Sequence, residues 1–117
     1  MSSDMVDKVR SSSGGTIGRA VSHARGQRLV LDSSARPQPD ALTNSEAFLA
    51  GISSCGVTLI EMHAREAGIP VTGMEVTIEG TRAAADPSRF AGITLRIEIA
   101  GVSQAQAEQL VETYRTR

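Results

Sequence analysis

The sequence predicts an α+β fold with an antiparallel sheet and one long central helix. Three observations carry that expectation. Residues 71–80 and 92–100 alternate apolar and polar side chains, the period of strands with one wet face. Residues 44–67 instead carry apolar side chains at helical spacing, behind a start signal and ahead of a stop signal. Along the chain the order is strand, strand, long helix, strand, strand, helix, which is α+β rather than a parallel α/β repeat.

Met1 to Arg10 is polar, without the apolar stretch of a signal peptide. Ser11-Ser12-Ser13-Gly14-Gly15 reads as a turn or loop. Thr16 to His23 is a weak strand, and Gln27 to Leu31 a better one, because Leu29, Val30 and Leu31 are strand formers. Asp32 to Leu42 is an irregular loop that Pro37 and Pro39 hold extended. The long helix starts behind Thr43, which stands to Glu46 in the Thr-x-x-Glu relation of a capping box. It runs through Phe48, Leu49, Ile52, Cys55, Leu59, Ile60 and Met62, with a break allowed near Gly51 or Gly56. Gly68 suits the position just past its end, and Pro70 forbids continuation. Met74, Val76 and Ile78 mark one strand of a hairpin, and Ile93, Leu95, Ile97 and Ile99 the other. Asp86-Pro87 marks a turn in the long loop between them. Ser103 and Gln106 repeat the capping box before a second helix with Ala107, Leu110, Val111 and Tyr114 as its stripe. That pattern is still helical at Arg117, so the chain reads as cut short or shortened.

At 117 residues the chain suits a single domain spanning 1–117. Its 40% apolar and 21% charged residues are those of a globular chain. Net charge is −1 and aromatic content 3%, which argue against nucleic acid and against an anionic membrane surface as partners. No uninterrupted apolar run reaches the length that spans a bilayer. The cytoplasm is the expected location. Gly14-Gly15-x-x-Gly18 lacks the spacing and setting of a dinucleotide-binding turn. Neither metal nor cofactor is expected. The single cysteine, Cys55, forms no disulfide within the sequence, and His23 and His63 stand at no ligand spacing from it.

Cys55 therefore has two readings. On a helical wheel it lies near Phe48, Gly51, Leu59 and Met62, in the middle of a helix that is apolar around most of its circumference. It is either a small core hydrophobe or a reactive thiol. As a thiol it needs a guanidinium or other donor from elsewhere, because mid-helix placement supplies no dipole. Glu46 precedes Cys55 by nine residues, roughly 13 Å of rise and about half a turn. Glu46 is thus either a cap alone or part of a site completed across two subunits. The helix is apolar enough for burial against a second subunit. His63, roughly 80° round the wheel from Cys55, reads as a polar residue near the helix end.

The stretch Thr43-Asn44-Ser45-Glu46-Ala47-Phe48-Leu49-Ala50-Gly51-Ile52-Ser53-Ser54-Cys55, continuing Gly56-Val57-Thr58-Leu59, resembles the OsmC/Ohr family. In that family a loop with Pro or Asn leads into Glu-Leu-Leu, a small-residue helix, and a cysteine about as far on. Ala64 to Val71 and Gly26 to Asp32 are similar to the family's helix end and to one of its early strands, so the likeness covers residues 16–117. The resemblance implies an intertwined homodimer with two sites at the interface. It implies that Cys55 is the peroxidatic thiolate, with Glu46 orienting an arginine from the N-terminal strands. Arg19 is the preferred candidate and Arg28 the alternative; both also read as solvated strand arginines. Peroxidase branches resolve the oxidised cysteine with a second one, in a Cys-Pro pair after the last helix. That pair and the closing strand are absent from 1–117: either they follow Arg117 in a longer chain, or Cys55 needs an external thiol reductant or does not cycle.

Two functions follow. One is a thiol peroxidase that reduces organic hydroperoxides or peroxides. The other is a non-catalytic dimer that binds a small apolar ligand, with Cys55 structural or redox-sensing.

Overall fold

A computed structural model describes residues 4–116. It comprises two compact units, one up to Phe48 and one from Leu49 onward.

The first unit is a sheet of β1 (Arg10–Ser13), β2 (Arg19–Ala24), β3 (Gln27–Asp32) and β4 (Leu42–Thr43), in that spatial order. The first three strands are antiparallel, and β4 joins β3 in parallel. β2 and β3 are joined by Arg25-Gly26, whose φ values of 51° and 77° give the two-residue turn that matches strand twist. Two strands depart from expectation. Arg10–Ser13 pairs with β2 where a loop was expected, and Leu42–Thr43 is a short strand at the end of the expected loop. β1 carries no apolar residue at all, so it has no hydrophobic period to read. Its partner supplies its order, through the ladder and a 2.8 Å hydrogen bond between the Ser11 and Ser22 hydroxyls.

The long helix is α1 (Asn44–Ala67), with the bounds the sequence predicts. It is continuous through Gly51 and Gly56, so the allowed break does not occur. It ends in a Schellman motif: Gly68, at φ 69°, donates to the Arg65 carbonyl, and Ile69 to the Ala64 carbonyl. α1 is also long and apolar enough, by length and composition alone, to cross a membrane. That corrects the count of uninterrupted apolar runs, because Gly, Ser and Thr interrupt a run while hardly lowering its hydropathy. An apolar helix packed inside a soluble protein meets the same criterion.

The second unit adds β5 (Gly73–Thr81) and β6 (Gly92–Ala100), an antiparallel hairpin, and α2 (Gln104–Arg115). Both strands have the predicted alternation, with Met74, Val76 and Ile78 facing one way and Leu95, Ile97 and Ile99 matching them. α2 starts with the predicted box: Ser103 accepts from the Gln106 N–H, and the Gln106 side chain accepts from the Ser103 N–H. It closes at Arg115 with Thr116 as cap, and Arg117 lies outside the described residues. The core is Ile60, Ala64 and Leu110, with Ile69, Val71, Met74, Ile97, Ile99 and Tyr114 packed around it.

Of α1, only Gly56, Ile60 and Ala64 are buried. They recur every four residues, so the chain covers one narrow stripe of the helix. Phe48 and Met62 stay more than half exposed, at 56% and 58%. A single chain therefore leaves most of this apolar helix uncovered.

Candidate functional site

Cys55 is the free cysteine of the structure, and it is exposed. The reading of it as a small core hydrophobe does not hold for the chain by itself. The buried stripe runs through its neighbour Gly56, which sits beside the Tyr114 ring, and leaves Cys55 on the open side. Around it α1 turns hydroxyls onto its own backbone: Ser53 donates to Ala50, Ser54 to Gly51 and Thr58 to the Cys55 carbonyl. The helix can therefore carry these small polar residues without orphaned groups.

Glu46 stands in the first turn of α1 and closes the predicted box. Its Oε1 accepts from the Thr43 N–H at 2.9 Å, and its own N–H donates to Thr43 Oγ1 at 3.2 Å. Thr43 is 7% exposed, so this cap is a largely dry one.

Arg19, at the start of β2, is engaged by two carboxylates. Nε donates to Asp32 Oδ1 at 2.7 Å and Nη2 to Asp32 Oδ2 at 3.1 Å, a fork-on-fork pair. Nη1 and Nη2 also donate to Asp40, at 3.1 and 2.6 Å. Four of the five guanidinium N–H groups are thus taken. Asp32 is 1% exposed, and besides Arg19 it accepts from the Gln38 N–H at 3.0 Å. Arg19 holds the Asp32 and Asp40 carboxyls below the usual carboxylate range, chiefly by hydrogen bonding, and is itself held more firmly protonated by Asp32 and then Asp40. Asp32 and Asp40 were not singled out from the sequence. A signal existed for Asp32: counting outward from the Arg25-Gly26 turn sets it opposite Arg19. Asp40 reaches Arg19 from the Pro37–Pro39 loop, which has no period to read.

Arg28 is exposed on β3, opposite His23. Among the described residues no ion pair joins Glu46 to Arg19 or Arg28. His63 on α1 has a buried Nε2 without a hydrogen-bond partner.

An antiparallel α+β chain with one long helix carrying an exposed cysteine defines the class, and comparison with known proteins gives the family. The model of the OsmC family, described as OsmC-like protein, matches residues 37–117. That is most of the chain and includes Glu46 and Cys55; the chain belongs to the OsmC-like protein family. Its fold is similar to that of the OsmC like protein from Mycoplasma pneumoniae, with a TM-score of 0.83 at 17% identity over 98% of this chain and 84% of that one. It is similar to an organic hydroperoxide resistance protein OsmC from Legionella pneumophila, at 0.69 and 22% over 95% and 82% of the two chains. It is also similar to the organic hydroperoxide resistance protein OhrB of Bacillus subtilis, at 0.61 and 18% over 92% and 82%. Among curated proteins none matches the sequence.

Proposed function

We propose that the protein reduces organic hydroperoxides with Cys55 as the attacking thiolate. The observation that carries the reading is the exposure of Cys55 on the face of α1 that the chain leaves open. Solved structures of similar fold that are named for organic hydroperoxide resistance support it. The Cys55 thiolate attacks the terminal peroxide oxygen. The S–O bond forms as the O–O bond breaks, the alkoxide takes up a proton and leaves as alcohol, and Cys55 becomes a sulfenic acid. The sequence holds no second cysteine. A thiol from outside residues 1–117 therefore condenses with the sulfenic acid, releasing water, and a further thiol frees Cys55 by exchange.

The site is proposed to form between two copies in the cytoplasm, with α1 as the shared element. Phe48 and Met62, exposed seven residues either side of Cys55 in the sequence, supply an apolar wall for the alkyl group. Arg19 is proposed as the guanidinium that favours the thiolate, with Asp32 fixing its orientation and Asp40, 71% exposed, as the partner it can release. Glu46 is proposed as a carboxylate of the same site.

The test is single-turnover oxidation by tert-butyl hydroperoxide at neutral pH. Sulfenic acid is expected to form faster than with free cysteine, and Cys55→Ser to abolish it. A rate equal to that of free cysteine overturns the reading, and a stable monomer in solution removes the interface site. Glu46→Gln keeps the cap while removing the charge, so a slower reaction at unchanged thermal midpoint assigns Glu46 to the chemistry. The exposure of Phe48 and Met62 also favours the second function, an apolar-ligand dimer. In that case an apolar dye binds equally to the protein and to Cys55→Ser, and hydroperoxide reacts no faster than with free cysteine.

A further inference from the structure

We infer that the turn end of the β1–β3 sheet binds a phosphate group carried by a small soluble molecule. The inference stands independently of any role for Cys55. A concavity of about 260 Å³ there is lined by Lys8, Arg10, His23, Ala24, Arg25 and Gly26. The strand register sets Arg10 opposite His23, and His23 opposite Arg28. Residues directly opposite share a sheet face, so three basic side chains form one row across β1, β2 and β3. Lys8, just before β1, and Arg25, in the turn just after β2, lie outside the strands but line the same concavity.

Arg10 and Arg28 flank His23 in this row, and the sheet sets no carboxylate opposite any of the three. Among the described residues Lys8, Arg10, His23, Arg25 and Arg28 take part in no ion pair. The contrast is Arg19, on the same β2, which holds two carboxylates. The Lys8, Arg10 and Arg25 cations left open around the concavity are matched by an anion.

The turn adds an independent observation. Among the described residues Arg25 is the non-glycine one at positive φ, 51°, in the first position of a turn that favours Asn, Asp or Gly. Holding an arginine there is costly to the fold, and Arg25 is one of the residues lining the concavity. Arginine forks and a lysine ammonium are the donors that phosphate oxygens take. The lining holds no Phe, Tyr or Trp for stacking a base, and the chain as a whole carries −1. Both favour a small phosphate compound over a nucleic acid.

The probe is inorganic pyrophosphate, titrated into the full chain at constant ionic strength and followed by backbone amide shifts. Saturable shifts are expected at residues 8–10 and 23–28. Arg25→Gly and Arg10→Gln are each expected to weaken binding by about tenfold, the worth of one charge-assisted hydrogen bond. Arg25→Gly keeps or raises the thermal midpoint, since glycine takes the turn without strain, so lost binding there is not lost folding. Shifts no larger than those from sodium chloride at the same ionic strength overturn the proposal. So does undiminished affinity in both variants, or adhesion to phosphatidylglycerol vesicles without a saturable response to pyrophosphate.

Discussion

The two units are held together by different means. From Leu49 onward the buried side chains are apolar: Ile60, Ala64 and Leu110, wrapped by side chains from β5, β6 and α2. Up to Phe48 the buried side chains are polar, Asp32 at 1% exposure and Thr43 at 7%. One unit is closed by a hydrophobic core and the other by a fork-paired aspartate and a capped helix start. The difference shows where order can come from when a segment such as Arg10-Ser11-Ser12-Ser13 has nothing apolar to bury. It also predicts different failures, since core packing responds to volume and an ion pair to protonation and partner loss.

The largest effect belongs to the apolar unit. Leu110→Ala is expected to cost about 2–5 kcal/mol, the range for emptying a buried leucine site. Tyr114 packs on that core and is the one tyrosine in a sequence without tryptophan. Its fluorescence therefore follows this unit through urea denaturation. A loss well under that range would mean that the core collapses around the gap, or that α1 and α2 draw their stability from elsewhere.

Next comes the ion pair of the first unit, where the effect depends on pH. The folded Asp32 carboxyl lies below its unfolded value because Arg19 favours the charged form. Its stabilisation is complete above the ordinary carboxylate pKa, about 3.9, and is lost as pH falls from there through the lower folded value. Asp32→Asn should lower the urea midpoint at pH 7 and flatten the acid side of the stability profile. Asp40→Asn removes a partner that is 71% exposed and should do much less. Equal effects from the two substitutions would erase the distinction between a buried anchor and a surface contact.

Legibility in the sequence follows the same division. α1, the hairpin and both caps were readable because their signals are local: a Thr-x-x-Glu box, a Gly68 stop, and strict alternation in Met74–Ile78 and Ile93–Ile99. β1 was not, because its order comes from β2. The Arg19–Asp32 pair was readable in principle from a two-residue turn at Arg25-Gly26. An arginine where Asn, Asp or Gly is usual conceals that turn. Cys55 marks a different limit. A helical wheel tells which residues share a face, but which face the chain covers is decided by Leu110 and Tyr114, far away in sequence.

The smallest expected effect sharpens the comparison, because each helix begins with the same device in different surroundings. Thr43→Ala removes a hydroxyl that accepts from the Glu46 N–H at a 7% exposed position, and Thr43 also pairs with Asp32 across β3 and β4. Ser103→Ala removes the equivalent acceptor for the Gln106 N–H in the open, where water replaces it. The cap range is about 0.5–2 kcal/mol. Thr43→Ala belongs at its upper end, since the orphaned N–H is left drier, and Ser103→Ala at about 1 kcal/mol or less. Urea midpoints followed by far-ultraviolet circular dichroism, which reads both helices, decide the order. If Ser103→Ala proves the costlier, the start of α1 is wetter than its burial indicates, and the contrast between a polar-locked and an apolar-packed unit loses its simplest support.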